Sequence, residues 1–196
     1  MMCLEDKLVG ARSLLALDFL TVIDAFTRNV TDVIDELAPL SVDVRGEAKV
    51  QRIDYAIFHK DGQRDLVLVW TVSWLMQRTR ELGVTPREFI DAMTSAARRI
   101  GFGFRLETED DIRVQPRLSN AIMLRRHLVG YGEKDRKLFA IDALAQLPKE
   151  SSVAALQEQV GSRFDAFALA LQLDWLGHIK MDGRTAFSRR STFVKT

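Results

Sequence analysis

The 196-residue chain is 47% hydrophobic and 28% charged with a formal net charge of +1, an ordinary globular composition that excludes an intrinsically disordered chain. Its longest apolar runs, such as 66–70, fall far short of the roughly 20 residues that cross a bilayer. The single cysteine, Cys3, excludes a disulfide framework and a thiolate metal cluster. No charged n-region followed by an apolar h-region opens the sequence, so a soluble, cytoplasmic protein with no membrane partner is expected. Charge is unevenly spread. From Arg113 to Thr196 there are 14 basic and 8 acidic residues, against 14 and 19 in the remainder.

In residues 4–36, Leu14, Leu17, Leu20, Val22 and Ile23, then Val30, Val33, Ile34 and Leu37, recur at helical spacing. This predicts one long helix, or two broken near Thr27 to Asn29, stopped by Pro39. The alternation in 40–44 and again in 50–58 predicts two strands flanking an Arg45-Gly46-Glu47 turn. After the turn chemistry of Lys60-Asp61-Gly62-Gln63, the apolar stretch 66–72 reads as a strand buried on both faces, the centre of a sheet. Residues 74–82 and 86–100 suit helices. The second opens on Thr85 as N-cap, Pro86 at the first helical position and Glu88 three residues after the cap. A strand over 102–107 follows, then a short segment through Thr108, Glu109, Asp110 and Asp111 to Arg113, and a helix over 120–129 carrying Arg125 and Arg126.

The glycine- and charge-rich stretch from Gly130 is the expected linker. Beyond it the pattern is helical over 138–147, 153–160 and 164–176. A short extended 179–181, an Asp182-Gly183 turn and a returning strand over 192–195 complete the chain. Three helices and a small hairpin suggest a winged helix-turn-helix. The expected domains are therefore 1–129, a linker 130–137, and 138–196.

Several chemistries lack their residues. His59, His127 and His178 show no zinc spacing, Gly101-Phe102-Gly103 lacks the Lys-Ser/Thr of a phosphate loop, and there is no Gly-X-Ser-X-Gly elbow. The order helix, strand, hairpin, buried strand, helix, strand is that of restriction-endonuclease-like cores. In those cores an Asp and an acid-X-Lys hold Mg²⁺ beside a scissile phosphate.

A set of ordered stretches carries a more specific resemblance. These are Arg12-Ser13-Leu14-Leu15-Ala16 leading into Phe19-Leu20, then Val30 and Pro39, and Ile53-Asp54-Tyr55-Ala56-Ile57. Next come Phe104 through Arg113 with Pro116, Leu118, Asn120 and Leu124-Arg125-Arg126, and finally Gly177-His178-Ile179-Lys180-Met181-Asp182 with Thr192. Together they resemble TnsA, the endonuclease subunit of heteromeric cut-and-paste DNA transposases, over nearly the whole chain. The resemblance implies an α/β fold: a restriction-endonuclease-like mixed sheet flanked by helices, followed by a small helical, winged-helix-like C-terminal domain. It also implies DNA, an integrase-like transposase subunit and an AAA+ regulatory ATPase as partners.

The family's catalytic positions fall at Ala16, Asp54, Leu68 and Trp70. Only Asp54 keeps a metal-binding side chain, since Ala16 and Leu68 have no ligand oxygen and Trp70 no cation. A catalytically inactive or weakened component that binds transposon-end DNA and its partner proteins is therefore expected, with no cofactor. Two alternatives stay open. One is an active Mg²⁺-dependent endonuclease with a rearranged site around Asp54, drawing on Asp65, Lys60, His59 or Glu47, which are otherwise solvated hairpin charges. The other is an α/β binding protein unrelated to transposition. Asp54 is either a relic ligand or a structural residue at a strand end, and Trp70 and Trp74 are packing residues or stacking platforms. Arg125, Arg126, Lys180, Arg184, Arg189, Arg190 and Lys195 are the candidates for contact with phosphates or a protein partner, against a merely solvated face.

Overall fold

The computed structural model describes residues 8–35, 37–128 and 134–196. Cys3, the expected helical residues 4–7 and the expected linker residues 130–133 lie outside the described residues. The chain divides into two compact units, Met1–Arg113 and Val114–Thr196, and no helix among the described residues is long and apolar enough to cross a membrane.

The first unit is a mixed α/β structure built on a four-stranded sheet. Helix α1 (Leu14–Phe26) starts on Ser13, whose hydroxyl accepts from Ala16 N, the usual way an N-cap satisfies an orphan amide. The expected helix does not continue past it. Residues Val30–Ile34 form strand β1, antiparallel to β4 (Tyr55–His59). A register shift between Val30 and Asp32 buries both Val30 and Val33, so two inward residues stand three apart and imitate a helical spacing.

Strands β2 (Leu40–Val44) and β3 (Glu47–Gln51) form a separate two-stranded ribbon. Its turn is Arg45-Gly46, with φ of 54° and 82°, and Glu47 already pairs with Val44. The expected second strand, 50–58, is thus two strands, parted by residues 52–54 where the chain crosses from ribbon to sheet.

Strand β5 (Arg64–Val69) lies between β4, antiparallel, and β6 (Gly103–Glu107), parallel, giving the order β1-β4-β5-β6. Helices α2 (Val72–Glu81) and α3 (Pro86–Arg99) make the crossover between β5 and β6. Thr85 and Glu88 form the expected capping box on α3. The sheet is covered on both faces. Val67 and Val69 pack with Leu15, Ala16, Phe19 and Leu20 of α1, whereas Leu66 and Leu68 pack with Phe89, Met93, Ala96 and Ala97 of α3 and with Leu40, Val42 and Val44 of β2. Short helix α4 (Glu109–Ile112) closes the unit by burying Ile112 against the α1 cluster.

The second unit contains α5 (Arg117–Leu128), α6 (Lys134–Ala145), α7 (Val153–Val160) and α8 (Ala166–Trp175). Its three-stranded antiparallel sheet has the order β7-β9-β8, from β7 (Glu150–Ser152), β8 (Ile179–Met181) and β9 (Thr192–Lys195). Strand β7 has no sequence signature of its own and exists through its pairing with β9. Helix α8 is interior: every residue from Ala168 to Asp174 is buried, and α5, α6, α7 and β8 all pack against it.

Leu68 is fully buried at the centre of the sheet. Leu68→Ala is expected to lower unfolding stability by about 2–5 kcal/mol through lost burial and the cavity left behind, measured by urea denaturation.

Candidate functional site

Asp54 stands where the chain enters β4. Its backbone N–H donates to Val67 O (3.1 Å) and its Oδ2 accepts from Val69 N (2.8 Å), so the carboxylate pins the last turn of the β4–β5 ladder. Burial pushes its carboxyl above the ordinary 3.8, outweighing the Val69 hydrogen bond and the positive charges of Arg12 and Arg52, which pull it down. Beside it Tyr55 is pushed up to about 12 by burial and then by the negative charges of Asp54 and Asp35. Its hydroxyl donates to Gly10 O (2.9 Å).

The segment preceding α1 crosses this end of the sheet. Val9 is buried in the α1 cluster. Gly10 N donates to Asp35 Oδ2 at 2.5 Å, and a Cβ on Gly10 would lie 2.6 Å from that same oxygen. A side chain at this position would oblige the Asp35 carboxylate to shift.

The other three positions to which the resemblance points divide between the two faces of the sheet. Ala16 is buried on the α1 face beside Val67 and Val69. Leu68 is fully buried on the opposite face, and Trp70 packs on that same cluster, with its ring stacked on Phe89 at 5.5 Å. Trp70 is thus a packing residue; Trp74 meets it edge-on at 6.4 Å and is 47% exposed. The period-two geometry of β5 separates Val67 and Val69 from Leu66 and Leu68, and neither set carries a polar atom.

The carboxylates near the sheet's end are engaged. Glu107 ends β6 opposite Val69 and is bound by the Arg105 guanidinium. Asp18 on α1 accepts from Arg113 Nε at 2.8 Å, and Glu109 Oε2 accepts from Val72 N at 2.7 Å, at the start of α2 where negative charge is favoured. Magnesium asks for near-octahedral oxygen coordination. Among the described residues no three His, Cys, Asp or Glu side chains come together. The surroundings of Asp54 do not fit a divalent metal, and no metal-dependent step follows from them.

Of the residues considered for a relocated site, two meet. His59 Nε2 lies 3.4 Å from Asp65 Oδ2, although neither ring nitrogen makes a hydrogen bond. They sit at the far end of β4, about 17 Å along the strand from Asp54 at ~3.3 Å per residue. Lys60 is exposed, and Glu47 pairs with Lys49 (2.7 Å) in the β2–β3 ribbon.

The basic candidates separate into several environments. Arg125 is half-buried and Arg126 exposed on α5. Lys195 Nζ donates to Leu147 O (2.6 Å) and Leu144 O (3.2 Å), capping the end of α6. Lys180 is exposed on β8. Arg184 and Arg189, with side chains 93% and 80% exposed, lie near Asp182 (3.3 Å) and Asp165 (3.7 Å), and Arg190 is exposed beside them.

Five buried polar residues among those described are not singled out from the sequence as site residues: Thr21, Thr79, Asn120, Gln172 and Asp174. The last two leave a visible signal as polar letters inside an apolar helix. Gln172 Nε2 donates to His127 O (3.1 Å), and Asp174 Oδ1 accepts from Met181 N (2.9 Å).

No protein-family model matches the chain, and no curated protein matches it.

The shift at Asp54 has a measurable sign. A carboxyl whose folded value lies above its unfolded one stabilises the fold when protonated; that contribution is full below 3.8 and is lost as pH rises through the folded value. Asp54→Asn keeps an oxygen for Val69 N–H and cannot ionise. In denaturation curves from about pH 3 to about pH 8, the wild type is expected to lose stability relative to Asp54→Asn as pH rises. Parallel curves would contradict the desolvated carboxyl.

Proposed function

We propose that this protein is a TnsA-like component of a DNA transposition machine that has lost, or nearly lost, the ability to cut. On this reading it binds transposon-end DNA and assembles with an integrase-like transposase and an AAA+ ATPase. The observation that carries the reading is the coupling of a nuclease-type sheet to an apolar site. The sheet order β1-β4-β5-β6, with a helix before it and helices between the parallel pair β5 and β6, is compatible with the restriction-endonuclease-like core that the resemblance implies. Asp54, the aspartate to which the resemblance points, precedes β4, and the β5 residues Leu66 to Val69 beside it carry only apolar side chains.

The second unit adds support. The order α6, β7, α7, α8, β8, β9 with the sheet β7-β9-β8 is compatible with the winged helix that the resemblance implies, whose wing would be the stretch between β8 and β9. A winged helix that reads bases turns its second motif helix toward the groove, whereas α8 here is buried. DNA contact therefore falls to the basic wing and to phosphates: from residue 180 to 195 there are five basic residues and one acid.

Purified protein, incubated with Mg²⁺ or Mn²⁺ and labelled transposon-end DNA, alone and with its transposase, is expected to bind without nicking. Replacing Arg184, Arg189 and Arg190 by alanine is expected to lower the slope of log affinity against log salt by about 2–3, close to one per lost phosphate contact. Robust nicking that disappears in Asp54→Ala would instead establish the active-endonuclease alternative.

A further inference from the structure

The loop between β8 and β9 is fastened to α5 by one side chain. Asn120 is 1% exposed, and both ends of its amide address this loop. Nδ2 donates to Gly183 O (3.2 Å) and Thr185 O (2.8 Å), while Oδ1 accepts from Phe187 N (2.9 Å). Both amide protons and a carbonyl lone pair are thereby used on backbone atoms that have no partner within a strand ladder. Phe187, 5% exposed, anchors the same loop by its ring.

The loop is tied locally as well. Arg184 N donates to Asp182 Oδ1 (3.0 Å) and Thr185 N to Asp182 O (3.1 Å). In the next turn Ser188 N donates to Ser191 Oγ (2.9 Å) and Arg190 N to Ser188 Oγ (3.2 Å). Between these fastenings the side chains of Arg184, Arg189 and Arg190 extend into solvent.

We infer that Asn120 is the positioning residue of this loop, holding its arginines in place for the phosphates of a nucleic-acid backbone; this rests on the DNA-binding reading above. Binding by a loose loop would have to order it at the moment of contact. Asn120 places that ordering in the folding of the unit instead, so the guanidiniums meet phosphate already arranged. Asn120 touches no ligand itself and acts through the backbone of residues 183–187. Because α8 is interior, the ligand is recognised by its charge and spacing, with no base readout from that helix.

The full-length protein, Asn120→Ala and the milder Asn120→Ser, which keeps a hydroxyl for Phe187 N–H, are compared in two measurements. One is the anisotropy of a labelled duplex of about 30 base pairs across a salt series. The other is hydrogen exchange over 183–191 and over α8. The expected result for Asn120→Ala is roughly tenfold weaker binding with a shallower salt slope. Faster exchange should be confined to the loop, α8 should stay protected, and Asn120→Ser should recover part of the affinity. Unchanged affinity and slope alongside faster loop exchange would overturn the inference while leaving DNA binding intact. Loss of α8 protection in both variants would also overturn it, by assigning Asn120 to the fold as a whole. If the triple arginine replacement leaves the binding of the wild-type loop unaltered, the DNA-binding reading itself fails, independently of Asn120.

Discussion

The burial of β5 on both faces is the constraint from which the rest of the first unit follows. Leu66, Val67, Leu68 and Val69 are each less than a tenth exposed, and they can be so only if α1 covers one side and α3 with the β2–β3 ribbon covers the other. A parallel neighbour requires a crossover long enough to carry helices, which α2 and α3 supply before β6 returns beside β5. Full burial also dictates the chemistry. A strand sealed between two apolar layers tolerates no unpaired carboxylate or ammonium, so the interior positions that would hold metal or lysine in a nuclease are here part of the packing. Trp70 extends the same logic past the strand's end, where its stacking on Phe89 fills space against α3.

The polarity of Asp54 has a structural use in this setting. The chain leaves the β2–β3 ribbon and must enter the sheet without wasting the N–H of Val69, at the point where β4 no longer runs alongside to accept it. The carboxylate takes that bond, replacing a missing ladder partner with a charge-assisted one. The cost is desolvation, visible in the direction of its shift and only partly offset by Arg12 and Arg52. The segment through Val9 and Gly10 adds to the burial, tied down by Tyr55 and Asp35.

Much of this architecture was legible in the sequence, and the failures share a physical cause. Helices α2, α3 and α7, strands β5, β6, β8 and β9, and the capping box at Thr85 and Glu88 all announce themselves through local pattern or cap chemistry. Strand β1 does not, because its bulge spaces Val30 and Val33 like helix neighbours. The break between β3 and β4 was hidden because alternation runs on through residues that pair with different partners. Strand β7 is invisible without β9. At the site, the apolar character of Ala16, Leu68 and Trp70 could be read directly, but their separation onto opposite faces of the sheet could not. Position along a strand sets which face a side chain occupies only once its layers are known. The pairing of His59 with Asp65, distant from Asp54, likewise depends on the hairpin register.

The second unit shows how burial redirects a function that element order alone would suggest. Helix α8 is apolar nearly all round, and a helix of that kind is a core element. Its two polar exceptions strengthen the point, since Gln172 and Asp174 spend their hydrogen bonds on the backbones of His127 and Met181 and so lock the helix between α5 and β8. With α8 committed to the interior, the exposed basic groups of the unit are carried by other segments, Arg184, Arg189 and Arg190 among them. Lys195 is already used to cap α6. Among the exposed basic groups, those of the β8–β9 loop sit on a backbone held from within by Asn120. The unit's core thus determines which charges reach the surface, and under the proposed DNA-binding function the ligand would be met by its charged backbone rather than by its base sequence.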